Sequence, residues 1–144
     1  MSAARRAPKQ PRARGLCKQF VGNLAPHARA GNDAIIAEHR PLIVGDIACS
    51  VDLDRSLSRE FPNDNRWDYI VTARKGDMPP LGVEVHHAAA SEVEVMIQKK
   101  AWALCVLKRE CQSLAVKSWH WLTPASGVIL FTPNDSRARL LAMA

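Results

Sequence analysis

The chain reads as a small α/β domain, a mixed β-sheet with helices packed on it. Three observations predict this. Two apolar, β-branched runs at residues 66–71 and 81–86 are separated by Lys75-Gly76-Asp77-Met78-Pro79-Pro80, which has the composition of a turn between strands. A long segment of helical period follows at 91–111, and an alternating segment at 116–122 comes after it. Strands interleaved with helices over 144 residues fit a single layered domain.

Taken in order, residues 1–18 form a basic arm and residues 19–144 the domain. Pro8 and Pro11 argue against a helix in the arm. A helix is predicted over 28–40, where Ala30, Ala34, Ile35 and Ala37 have helical spacing and Pro41 closes it. Residues 42–44 are a short apolar run ended by Gly45. A second helix is predicted over 46–61, with Ile47, Val51, Leu53 or Asp54, Leu57 and Phe61 toward one side. Pro62-Asn63-Asp64-Asn65 is a loop by its turn chemistry. Strands follow over 67–73 and 81–87.

Ser91 is read as the N-cap of the third helix, over 91–111. Glu92 and Glu94 lie in its first turn and Lys108 and Arg109 near its end, as the helix dipole favours. Val93, Ile97, Ala101, Leu104 and Leu107 form its predicted apolar stripe, with Met96 and Ala103 beside it. In 116–122, Val116, Ser118 and His120 take one face of a strand and Trp119 and Trp121 the other. A short strand over 127–131 and a terminal helix over 135–143, capped by Asp135 or Ser136, complete the chain.

The 47% hydrophobic content supports an ordinary core. No apolar run approaches the ~20 residues of a membrane helix. The absence of an apolar signal core argues against secretion, so the expected location is cytoplasmic, with no membrane partner. Charge is unevenly placed. Arg5, Arg6, Lys9, Arg12, Arg14, Lys18 and Arg29 lie in residues 1–32 without one acid, leaving 13 basic against 14 acidic side chains in the rest. The net +6 therefore belongs to the first segment. That segment is compatible with a solvated tail, an arm that contacts phosphates, or an Arg-rich transit peptide. Cys17, Cys49, Cys105 and Cys111 contain no CxxC pair, which argues against a zinc site or a disulfide frame and for small buried hydrophobes in a reducing compartment.

Asp68 and Glu84 are carboxylates in otherwise apolar strands. A buried carboxylate is costly unless it is paired or binds a metal. Two of them on neighbouring strands suggest a place for a divalent cation. Mg²⁺ takes oxygen ligands, so the carbonyl of Val85 is a third candidate donor. Glu84 and His86 are two apart in a strand and share a face, while Val83 and Val85 take the other.

This order (a strand with Asp68, a strand with Glu84-Val85-His86, a long helix, a further strand) resembles the PD-(D/E)xK nuclease superfamily over residues 45–122. The resemblance implies a restriction-endonuclease-like fold, Asp68 as the metal-binding aspartate and Glu84 as the acid of the (D/E)xK half-motif. One position departs, since His86 stands where the family has lysine. Histidine can act as a base or polarise water; alternatively a lysine reaches in from the helix, with Lys99 and Lys100 as candidates. A glutamate from an upstream helix would be Glu60 or Glu38.

The implied activity is Mg²⁺- or Mn²⁺-dependent hydrolysis of phosphodiester bonds in DNA or RNA. The cation would stabilise the transition state's added charge and acidify the attacking water. Asp68, Glu84, His86 and Lys99 would be catalytic, and Asp68, Glu84 and Val85 would hold the metal. Arg5, Arg6, Lys9, Arg12 and Arg14 would bind nucleic acid with salt-dependent affinity. The small size implies a homodimer or low sequence specificity. The alternative is a nuclease-like module that binds nucleic acid or a protein without cleavage. Each residue also has a structural reading: Asp68 paired with Arg66 or Arg74, Lys99 and Lys100 on a solvated face, His87 exposed, and Trp119 and Trp121 as core anchors beside His120. There is no Gly-rich phosphate loop and no nucleophile elbow.

Overall fold

The computed structural model describes residues 17–74, 78–87, 89–124 and 128–129. Along the chain run β1 (Arg29–Ala30), β2 (Ile43–Val44), β3 (Ile47–Asp52), α1 (Leu53–Ser56), β4 (Tyr69–Ala73), β5 (Leu81–Val85), α2 (Val93–Glu110), β6 (Ser118–Leu122) and β7 (Val128–Ile129). Short 3₁₀ segments lie at Gly22–His27, Arg40–Leu42 and Ala90–Glu92. The fold is mixed α/β. A five-stranded sheet has the order β1-β3-β4-β5-β6, and β2 pairs with β7 separately. The pairs β1/β3, β3/β4 and β4/β5 are antiparallel, whereas β5 and β6 are parallel and joined through α2, as a parallel pair requires a crossover. No described helix is long and apolar enough to cross a membrane.

The sheet separates two apolar layers. On one face Cys49, Val51, Ile70, Trp119 and Trp121 pack with Met96, Ala103, Val106 and Leu107 of α2. On the other, Tyr69, Val71, Leu81, Val83 and Leu122 pack with Ile35 and Ile43. Gly82 of β5 is the register partner of Trp119 in β6. A Cβ there would stand 2.3 Å from the Trp119 ring, so only glycine admits the indole.

Several elements differ from the sequence expectation. The helix expected over 46–61 is β3 followed by the single turn α1. Ile47 to Val51 are all buried because β1 and β4 flank the strand and apolar layers cover both faces. Burial on two faces removes the alternation that marks a strand. Asp52 ends β3 and caps α1, its Oδ1 accepting from the Arg55 N–H at 2.8 Å. The helix expected over 28–40 is β1 and a chain of turns. Gly31 takes φ +57°, which interrupts a helix, and the buried Ser50 hydroxyl donates to Gly31 O (2.8 Å) and accepts from Ala34 N–H (3.1 Å). That hydroxyl holds the turns onto the sheet.

The predicted strands 67–73 and 81–87 are β4 and β5, the helix 91–111 is α2, and the strand 116–122 is β6. α2 is rotated from its predicted stripe. Its buried residues are Met96, Ala103, Val106 and Leu107, while Ala101 and Leu104 are exposed. Glu92 rather than Ser91 occupies its N-cap position, with no side-chain cap hydrogen bond. Of the strand expected over 127–131, Val128–Ile129 is β7; the arm at 1–16 and the helix at 135–143 lie outside the described residues.

The cysteines also correct the expectation. Cys17 and Cys49 form a disulfide, with Cα atoms 5.4 Å apart and a sequence separation of 32. Cys105 is exposed, and only Cys111 is a buried free thiol. Spacing could not reveal the bond because the turns after Cys17 lay its segment on β3, with Phe20 and Leu24 buried in the same layer as Cys49. Cross-linking a loop of this size restricts the unfolded chain and is worth roughly 2–4 kcal/mol. Cys17→Ser is therefore expected to lower the urea midpoint, and dithiothreitol to lower the wild type to the same value. Equal midpoints for oxidised wild type and variant would show that the bond contributes nothing.

Candidate active site

The two motif carboxylates meet where β4 begins and β5 ends. Asp68 directly precedes β4, and its carbonyl accepts from Leu53 N–H at 2.8 Å, which ties it to the end of β3. The carboxylates then exchange hydrogen bonds with each other's strands. Asp68 N–H donates to Glu84 Oε1 at 2.9 Å, and Val85 N–H donates to Asp68 Oδ2 at 3.0 Å. The remaining Glu84 oxygen, Oε2, accepts from Lys99 Nζ of α2 at 2.5 Å. Glu84 is fully buried and the Lys99 side chain is 15% exposed.

Burial sets the electrostatics. The Glu84 carboxyl is pushed up to about 8, first by burial and then by neighbouring Asp68, against the opposing pull of Lys99 and the Asp68 amide. Asp68 is raised too, chiefly by burial, with the Val85 amide and Lys99 opposing. Two adjacent carboxyls with one ammonium share their protons as a unit. Asp52, at the end of β3, is raised to about 6 by burial, with Asp54 and Asp68 adding to the effect.

His86 extends the row. Its Nε2 lies 2.7 Å from Glu92 Oε1, its N–H donates to Leu122 O (2.9 Å), and its carbonyl accepts from Trp121 Nε1 (3.0 Å). Glu84 and His86 thus each meet an oppositely charged or chargeable side chain from the helical segment, Lys99 and Glu92 respectively. The structure brings Asp68, Glu84 and Lys99 into one hydrogen-bonded group and holds His86 beside it on Glu92. Val85 contributes its N–H to Asp68, and its side chain packs in the opposite layer.

The structural partners considered for Asp68 are engaged elsewhere, since Arg66 pairs with Asp54 (2.9 Å) and Arg74 with Asp46 (2.9 Å). Glu60 pairs with Arg109 at 3.1 Å and Glu38 is exposed. Lys100 lies over the Trp119 ring at 6.0 Å, with its pKa lowered by burial. His87 is exposed, while Trp119, Trp121 and His120 are buried. The arm residues Arg5, Arg6, Lys9, Arg12 and Arg14 lie outside the described residues.

Sequence reasoning missed Glu92 as the partner of His86 and Asp52 as a neighbour of the group. Glu92 was visible as a first-turn acid; Asp52 was hidden inside a segment read as helix. Among the described residues no three His, Cys, Asp or Glu side chains converge as a ready-made metal cluster. The donor chemistry still suits a hard cation. Asp68 and Glu84 supply oxygens only, and Oδ1 of Asp68 accepts no hydrogen bond from any described residue. No protein-family model, curated protein or solved structure matches the chain.

Proposed function

We propose that the protein is a metal-dependent nuclease that hydrolyses phosphodiester bonds in DNA or RNA, with a site of the PD-(D/E)xK kind. The observation that carries this reading is the clamp between Asp68 and Glu84 on adjacent strands, completed by Lys99. Asp68, Glu84, α2 and β6 follow one another in the order the family resemblance implies. Lys99 supplies the ammonium that the motif lacks at His86.

Asp68 and Glu84 would hold Mg²⁺ or Mn²⁺, with the Val85 carbonyl as a further oxygen. The cation would neutralise charge on the phosphoryl group and acidify a bound water. Lys99, which donates to Glu84 Oε2, would offer its ammonium to the substrate phosphate. His86, steadied by Glu92, would accept a proton from water. The basic arm would add sequence-independent phosphate contacts, so binding should fall steeply with salt.

A non-cleaving binding module is the second reading, favoured by the occupancy of both Glu84 oxygens by protein donors. Mn²⁺ calorimetry on wild type, Asp68→Asn and Glu84→Gln, run beside cleavage assays on single- and double-stranded DNA and RNA, separates the two. Nuclease action predicts heat of binding and EDTA-sensitive cleavage in wild type, both lost in each variant. Nucleic-acid binding without heat or cleavage, unchanged in both variants, would establish the module. Absence of metal heat, cleavage and nucleic-acid binding would overturn both.

A further inference from the structure

The end of the sheet away from Asp68 and Glu84 carries a polar cavity of about 320 Å³. Asp68 precedes the first residue of β4, whereas Arg74 on the cavity wall follows its last. The lining includes Arg40, Arg74, Asn32, Val44, Gly45 and Asp46. Its volume falls at the lower end of the range for small-molecule sites.

Among the described residues, each arginine has partners for Nε and Nη2 but not for Nη1. Arg40 Nε donates to Ile35 O (2.7 Å) and Nη2 lies 3.4 Å from Asp33 O. Arg74 Nε donates to Asp46 Oδ1 (2.9 Å) and Nη2 lies 3.4 Å from Ile47 O. In each guanidinium, Nη1 donates to none of the described residues. The main-chain N–H groups of Asn32, Gly45 and Asp46 likewise reach no acceptor among the described residues. The described lining residues include two guanidinium groups and one carboxylate, a net positive charge. Ion-paired to Asp46 through Nε, Arg74 is positioned rather than used up. Val44, 41% exposed, provides an apolar wall.

We propose that this cavity binds a phosphoryl group, either as inorganic phosphate or as a small phosphate monoester whose organic part lies against Val44. Guanidinium forks and free main-chain amides are the donors that suit tetrahedral oxyanions. Because Arg40 and Arg74 are already tethered through Nε, little side-chain freedom is lost when an anion arrives. This proposal is independent of the carboxylate site.

Titration of the ¹⁵N-labelled protein with inorganic phosphate and, separately, with adenosine monophosphate at constant ionic strength tests it. The amide signals of Asn32, Gly45 and Asp46 should move with a dissociation constant of about 1 mM or tighter. Arg74→Gln, at a half-exposed position, and Arg40→Lys, which keeps charge but loses the fork, should each weaken binding at least about tenfold. Tighter binding of the monophosphate, with the advantage removed by Val44→Ser, would assign the monoester. Equal binding of the two probes would assign the phosphoryl group alone. No shift at these amides with either probe, or shifts that persist in both arginine variants, would overturn the site.

Discussion

Lys99→Met is expected to lower the unfolding free energy by about 3–5 kcal/mol at alkaline pH, because it strands a fully buried carboxylate. Glu84 Oε2 loses its ionic partner, and the neighbouring Asp68 remains to repel it. The double variant Lys99→Met/Glu84→Leu should be more stable than the single one, since an apolar pair leaves no buried charge uncompensated. At acid pH the penalty shrinks, because Glu84 becomes neutral and needs no counter-charge.

The same group sets a pH dependence in the wild type. Folding raises Glu84 from the ordinary 4.5 to about 8, so between these values the folded protein holds a proton that the unfolded chain has released. The corresponding stability is complete below the unfolded value and is lost as pH rises through about 8. Asp52, raised to about 6, adds a slope of the same sign over its lower window, and Asp68 is shifted in the same direction. Urea midpoints should therefore fall from about pH 5 to about pH 9, more steeply in Lys99→Met than in wild type. A flat profile in both proteins would show that Glu84 is ionised throughout.

Trp67→Ala should cost about 3–5 kcal/mol, the scale of large-to-small changes in a packed core. Trp67 is fully buried, stands edge-on to Trp119 with ring centroids 5.0 Å apart, and donates from Nε1 to Tyr69 O at 3.0 Å. Its removal opens a cavity beneath α2, deletes the hydrogen bond to Tyr69 O and frees the Trp119 ring from one side. Trp67→Phe keeps most of the ring and should cost distinctly less. Gly82→Ala approaches the same pair from the other side and should cost about 1–3 kcal/mol through overpacking. Since Asp68 is the next residue, Trp67→Ala should also loosen the carboxylate clamp, visible as lost protection of the Asp68 and Val85 amides against hydrogen exchange. A loss below about 1 kcal/mol would mean that the two indoles do not form the centre of this layer.

The residues around the candidate site explain which parts of the protein could be read in advance. β4, β5, α2 and β6 announce themselves locally, through β-branched runs, turn-forming Pro and Gly between them, and a sustained helical period. Asp68 and Glu84 stand out for the same reason, as charges inside apolar runs. β3 does not announce itself. Ile47, Val51, Leu57 and Phe61 satisfy a helical period, and burial on both faces deprives the strand of its alternation. Its pairing with β1 and β4 decided between the two. The orientation of α2 was equally hidden, because apolar residues surround the helix. Turning Met96, Ala103 and Val106 inward leaves Leu104 outside and lets Lys99 reach Glu84.

By itself, then, the sequence determined the mixed α/β class, the order of the elements from β4 to β6, and the two carboxylates as the residues of interest. These follow from local composition and period, which act over a few residues. Only the tertiary structure decided the strand identity of residues 47–52, the Cys17–Cys49 bond, and the choice of Lys99 and Glu92 as the partners of Glu84 and His86. Each of these joins segments far apart in the chain, and buried charge or buried backbone has to find its partner in space rather than in sequence.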